Sequence, residues 1–209
     1  MSKIPLLMFV LLCTASQVFA ADQKALVGDP AAGQTKAEVC TACHGTNGNS
    51  PTPLWPKIAG LSEKYLYSQL IEFRKGDKGL RNDPTMYGIV QHMSDQDLAD
   101  LAAFYARQKM TVGTVAQNFV EVGQKVYRGG NIHSGVPACA ACHDATGKGN
   151  ALANFPRLSG QNPQYVIDQL TKFKTKVRKN DPNGMMEDIA ARLTEQEIEA
   201  VANYVSALH

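Results

Sequence analysis

The sequence predicts an all-α protein built from two tandem domains, and three observations carry that prediction. Apolar residues recur at helical spacing, similar residues recur about 100 positions apart, and no run alternates as a strand between hairpin turns. The 209 residues, 44% hydrophobic and 19% charged, supply enough apolar material for a core. A disordered, collagenous or bare disulfide-scaffold chain is excluded. With 21 Lys+Arg against 19 Asp+Glu, the net charge of +2 lacks the footprint of a general nucleic-acid binder. The only stretch apolar enough to meet a membrane, Ile4 to Leu12, falls short of the roughly 20 residues a spanning helix needs.

The first twenty residues read as an export signal. Lys3 gives a positive start, Ile4 to Cys13 an apolar run, and Val18-Phe19-Ala20 a small-residue pattern predicting cleavage after Ala20. Leu12 stands where a lipoprotein site before Cys13 wants a small residue, so no lipid anchor is expected. Cleavage removes Cys13 and leaves Cys40, Cys43, Cys139 and Cys142, two copies of one spacing.

The duplication extends beyond the cysteines. Cys40-Thr41-Ala42-Cys43-His44 recurs as Cys139-Ala140-Ala141-Cys142-His143, offset 99, and Trp55-Pro56-Lys57-Ile58-Ala59-Gly60 as Phe155-Pro156-Arg157-Leu158-Ser159-Gly160, offset 100. Tyr65, Gln69, Leu70 and Phe73 match Tyr165, Gln169, Leu170 and Phe173. A solenoid unit would repeat every 20 to 50 residues or so, so this is a duplicated domain. The expected boundaries are 21–110 and 111–209, with a connector at about 109–118 where helical periodicity lapses around Gly113.

Each element follows from pattern. Ser94 with Asp97, and Thr194 with Glu197, open capping boxes. Leu98, Leu101, Ala102 and Tyr105 then share one helical face, as do Ile198, Val201, Ala202 and Val205. Further helices are expected over 63–75 and 163–177. Another should end at each cysteine motif, starting near Gly33 and near Gly123. The long segments rich in Gly, Pro and Asn between them need something to wrap around.

Cys-x-x-Cys-His supplies it. Two thiols at this spacing reach both vinyl groups of one porphyrin, and the adjacent imidazole falls under the iron. A disulfide within each pair or a four-cysteine zinc site would leave the histidine after both pairs unexplained, so two covalently bound haem c groups are expected. For the second axial ligand the repeat is the filter. Met86 and Met186 recur at offset 100, each eight residues before a capping residue. His92 faces Arg192, Met93 faces Leu193 and Thr85 faces Met185, so Met185 is the only near competitor. The candidate iron ligands are His44, Met86, His143 and Met186.

Weaker readings attach to other positions. A carbonyl at Pro56 or Pro156 would accept a hydrogen bond from the proximal Nδ1, or each proline merely sets a turn; sequence leaves both open. Trp55 and Phe155 read as haem-edge packing. Arg81 reads as a solvated surface residue rather than a propionate partner. The basic run Lys172 to Lys179 reads as a solvated helix face in preference to a docking surface, and His133, in the insertion Tyr127 to Pro137, as a surface residue.

The assembled motifs resemble the dihaem cytochrome c4 family. The resemblance spans about Gly28 to His209 and includes His44-Gly45-Thr46-Asn47-Gly48-Asn49-Ser50-Pro51, Ser94-Asp95-Gln96-Asp97-Leu98 and Arg128-Gly129-Gly130. It implies two cytochrome c-like domains about a pseudo-twofold axis with the haem propionate edges close together. It also implies a periplasmic, monomeric electron carrier between a quinol-oxidising complex and a terminal oxidase or reductase, free or peripherally membrane-associated. A closed His/Met site exchanges electrons and binds no substrate, which argues against an enzyme. The alternatives are the cytochrome subunit of a flavocytochrome-type dehydrogenase and, less well supported by two methionines and a short chain, a dihaem peroxidase.

Overall fold

The computed structural model describes residues 26–209, so the expected signal peptide lies outside the described residues. In chain order the helices are α1 (Pro30–Lys36), α2 (Glu38–His44), α3 (Glu63–Arg74), α4 (Pro84–Val90), α5 (Asp95–Ala106), α6 (Gln117–Gly129), α7 (Ala140–His143), α8 (Pro163–Lys174), α9 (Met185–Arg192) and α10 (Glu195–Ser206). Among the described residues there is no sheet, only isolated bridges. None of these helices is long and apolar enough to cross a membrane.

The two helices that close the domains form where their caps predict. In α5 the Ser94 hydroxyl accepts from the Asp97 N–H at 3.1 Å while Asp97 accepts from the Ser94 N–H at 2.9 Å. In α10, Thr194 and Glu197 repeat the exchange at 3.2 and 2.8 Å. The predicted faces are buried: Leu98, Leu101, Ala102 and Tyr105 in one domain, Ile198, Val201, Ala202 and Val205 in the other. Against them cross α1 on α5 and α6 on α10. Both crossings are close because a glycine sits at the contact: a Cβ on Gly33 would lie 2.0 Å from the Asp100 carbonyl oxygen, and one on Gly123 2.5 Å from that of Ala200.

Two expectations need correction. In neither repeat does a single helix run from the glycine into the cysteines: in the first, α1 stops at Lys36 and α2 starts at Glu38, and in the second, α6 stops at Gly129 and the motif lies on the separate four-residue α7. The insertion intervenes as a tight turn closed by paired backbone bonds between Asn131 and Val136. Val136 enters the core, and Asn131 donates to Glu197 at 2.7 Å, tying the insertion to the cap of α10. His133 is exposed on that turn, as expected. The short helices α4 and α9, which carry the candidate methionines, were not anticipated.

The connector 109–116 is irregular but anchored on both sides. Thr111 N–H donates to Asn49 Oδ1 at 2.8 Å in the first domain, and Gly113 N–H donates to the Ser206 carbonyl at 2.8 Å in the second.

Asp100, 2% exposed, holds the first domain's start to its end by accepting from the Asp29 N–H at 2.8 Å, from Gln96 and from Lys36. Burial alone would raise its pKa; the bond from Lys36 and the two others outweigh burial and hold it below the ordinary value. Lys36 and the Ser94 cap depress Asp97 further. Depressed carboxylates contribute stability that is present above the unfolded value of about 3.9 and is lost as pH falls through the folded one. The thermal midpoint of the haem-loaded protein should therefore drop progressively below about pH 4. Asp100→Asn should flatten that drop and cost about 2 kcal/mol at pH 7 by denaturant titration. An unchanged acid limb in the variant would contradict this role.

Candidate functional site

Each domain holds one cavity walled by its cysteine motif and by its short methionine helix. The first, of about 450 Å³, is lined by Cys40, His44, Trp55, Pro56, Met86 and Tyr105 among others. The second, of about 210 Å³, is lined by Cys139, Cys142, His143, Phe155, Pro156 and Met186. Seven of the eight expected site residues thus line their cavity; Cys43 alone is not part of a wall. Met185 also borders the second cavity but is 38% exposed.

The histidines are held alike. His44 Nδ1 lies 2.9 Å from the Pro56 carbonyl oxygen, and His143 Nδ1 lies 2.9 Å from that of Pro156. A carbonyl only accepts, so each Nδ1 carries the proton and each Nε2 keeps a free lone pair. Burial pushes both imidazoles below the ordinary histidine pKa, against the opposing pull of the carbonyl, and so keeps the rings neutral. Of the two readings left open for the prolines, the carbonyl acceptor is the one the structure displays. Trp55 and Phe155 wall the cavities, and the Phe155 ring stands 6.1 Å from the His143 ring, centroid to centroid.

The thiols of Cys40, Cys43, Cys139 and Cys142 are unpaired. Burial raises Cys139 to about 11. The two pairs sit in separate domains, and among the described residues no cluster of three or more His, Cys, Asp or Glu side chains could hold a metal ion.

Arg81 is not a solvated residue, contrary to expectation. It is 7% exposed, lies over the Phe73 ring at 4.7 Å, and donates to Gln69, Gln169 and the Tyr165 hydroxyl. Arg178, expected on a solvated helix face, is equally buried; it lies over the Phe173 ring at 4.4 Å and donates to Gln169, Gln69 and the Tyr65 hydroxyl. The two face each other across the domain boundary through an antiparallel bridge. Lys176 and Lys179 do face water, whereas Lys172 and Lys174 are half-buried, Lys174 donating to the Leu193 carbonyl. What pulls Arg178 inward is the aromatic face and the amide and phenol acceptors around it.

Sequence reasoning missed this pair because its offset is 97 rather than 100. A signal was present: Asn82-Asp83-Pro84 recurs as Asn180-Asp181-Pro182 close behind each arginine. Asp83 and Asp181 accept from the N–H groups of Met86 and Met186 at 3.1 and 2.6 Å, starting the methionine helices.

These residues fit a haem. The walls are apolar, each offers a neutral imidazole with a free Nε2 and a thioether, and each carries a cysteine of the attachment motif. Neither Arg81 nor Arg178 has a carboxylate within ion-pairing distance among the described residues, although both border the first cavity. Two adjacent buried cations require anionic neighbours, which a porphyrin with two propionates brings.

Comparison with known proteins agrees with this geometry. The cytochrome c family model matches residues 30–107 and again 120–209. Cytochrome c4 of Azotobacter vinelandii is 48% identical over 189 residues, covering 87% of this chain and 90% of the relative. The crystal structure of reduced recombinant cytochrome c4 from Pseudomonas stutzeri superposes with a TM-score of 0.85 at 43% identity, covering 88% of this chain and 100% of that one. A thiosulfate dehydrogenase electron acceptor of Thiomonas intermedia is 35% identical over 187 residues, covering 85% of this chain and 82% of the relative.

Each domain has only about 90 residues, a size at which the core is marginal without added apolar contact. Serine at Cys40, Cys43, Cys139 and Cys142 together should leave a largely unfolded chain by far-ultraviolet circular dichroism. A native-like helical spectrum from that variant would contradict the dependence of the fold on the cofactor.

Proposed function

We propose that this chain, a member of the cytochrome c4 family that carries two covalently bound haem c groups, is a periplasmic electron carrier between a quinol-oxidising complex and a terminal oxidase or reductase. The observation that carries this reading is the repeated site. In both domains a buried, neutral histidine and a methionine border one apolar cavity, and a backbone carbonyl fixes the histidine tautomer.

The parts divide as follows. Domains 21–110 and 111–209 each take one haem, through thioether bonds from Cys40 and Cys43 and from Cys139 and Cys142. His44 and Met86 ligate one iron, His143 and Met186 the other. Bound haem supplies reversible one-electron exchange. The Pro56 and Pro156 carbonyls orient the imidazoles and raise their basicity. Arg81 and Arg178 receive cofactor carboxylates at the domain boundary. With a histidine and a methionine to hold each iron, no position would remain for a substrate, so in this reading the chain is a carrier and not an enzyme. Export rests on the Lys3, Ile4–Cys13 and Val18-Phe19-Ala20 pattern, and the carrier is a monomer in this reading.

A second reading has support in the resemblance to thiosulfate dehydrogenase electron acceptors. In it, the donor is a dehydrogenase of a sulfur compound and the same two sites accept its electrons. Stable co-purification with a dehydrogenase subunit would favour it over a freely diffusing carrier.

Replacing Met86 by alanine should remove about half of the weak near-infrared charge-transfer intensity that reports sulfur on ferric iron, and should create one high-spin ferric haem. Met185→Ala should leave both signals intact. A loss of sulfur ligation in the Met185 variant would transfer the assignment from Met186 to its neighbour.

A further inference from the structure

The two proximal histidines have the same carbonyl partner but not the same support behind it. In the second domain the segment bearing the Pro156 carbonyl is held from within. Asn150 and Phe155 exchange both backbone bonds, each 2.9 Å long. The register set by Gly48 and Gly147 puts Pro51 where Asn150 stands, and proline has no N–H to give. The first domain cannot build that brace.

Its brace comes instead from the other domain. The Gln161 side chain receives the Lys57 N–H on Oε1 at 2.8 Å and donates from Nε2 to the Lys57 carbonyl at 2.8 Å, so the amide grips the backbone on both sides of one residue. Gln161 is 4% exposed, so water competes little for these bonds. Asn162 Nδ2 donates to the Trp55 carbonyl at 2.7 Å and to the Thr52 carbonyl at 3.0 Å. Pro56, whose carbonyl holds His44, lies between the gripped residues.

The helix caps show that Asn162 is committed to this task. At the matching position Ser62 caps α3, its hydroxyl accepting from the Tyr65 N–H. Asn162 stands at the N-cap of α8, a position that favours asparagine for capping, yet makes no cap bond there. Leu61, the counterpart of Gln161, has no amide to offer in return. Among the described residues no first-domain side chain bonds to Phe155, Pro156 or Arg157; the first-domain bond to that loop, from the exposed Lys64 ammonium to the Leu152 carbonyl at 3.0 Å, falls four residues short of Pro156 and is open to water.

We infer that Gln161 and Asn162 are positioning residues for the first haem site alone, acting across the domain boundary on the Pro56 carbonyl and through it on the orientation and basicity of His44. This rests on the assignment of His44 as an iron ligand. It makes the duplicated sites inequivalent: the first is tuned by contact with its neighbour domain, the second is not. When the Pro56 carbonyl accepts more weakly, the imidazole is less basic and the reduced state is favoured, so loosening the clamp raises one potential and leaves the other.

The test compares the haem-loaded wild type with Gln161→Leu and Asn162→Ser by ¹⁵N NMR in the reduced state and by potentiometric titration. Asn162→Ser reproduces the cap of α3 while giving up the reach to Trp55, so it stays folded even where Gln161→Leu does not. In either folded variant the His44 Nδ1 proton should exchange with solvent about tenfold faster, the loss of one or two buried hydrogen bonds. The His143 proton should stay within about twofold, and one midpoint potential should rise while the other holds. Equal acceleration at both histidines, or none at His44, would overturn the inference. The ligand assignment fails separately, and takes the inference with it, if wild-type spectra show His44 Nε2 free of iron.

Discussion

The bond from a buried imidazole Nδ1 to a proline carbonyl is the constraint on which the rest of the architecture depends. It decides the tautomer and leaves Nε2 unprotonated in an apolar cavity, facing the place proposed for the iron. Much of the remaining structure serves that placement. The long loops after each cysteine motif bring the proline back beneath the histidine, and Asp83 and Asp181 start the short helices that deliver a methionine to the same cavity. The helices α5 and α10, packed on α1 and α6 through a glycine contact, form the frame behind it.

Duplication supplies two such sites, and the boundary between them is polar rather than oily. Arg81 and Arg178 reach reciprocally to tyrosine and glutamine partners from both domains, and they lie over Phe73 and Phe173. Buried cations without carboxylates would be costly in an apo boundary. Cofactor carboxylates there would make domain docking and haem binding mutually dependent. The same boundary is where equivalence breaks down, because one proline at position 51 removes a brace that Gln161 and Asn162 restore from the other side.

Sequence alone revealed the helical class, both capping boxes and the buried faces of α5 and α10, since each rests on local spacing, and the duplication, since its copies keep a nearly constant offset. The cavity-lining histidines and methionines were legible because repetition separated Met86 and Met186 from Met93 and Met185. What escaped was non-local or out of register. The buried arginines drifted to an offset of 97, and Arg178 was masked by surface lysines on either side of it. The separation of α6 from α7 escaped because the insertion has no counterpart in the first repeat. The helices α4 and α9 are seven and eight residues long, too short to print a clear period.

The most direct measurement on the central claim is the NMR spectrum of the reduced, haem-loaded protein labelled with ¹³C at the methionine methyl groups. Two methyl signals shifted far upfield by a porphyrin ring current, assigned to Met86 and Met186, are the result this structure predicts. A single shifted methyl, none, or a shifted signal from Met93 or Met185 would contradict it.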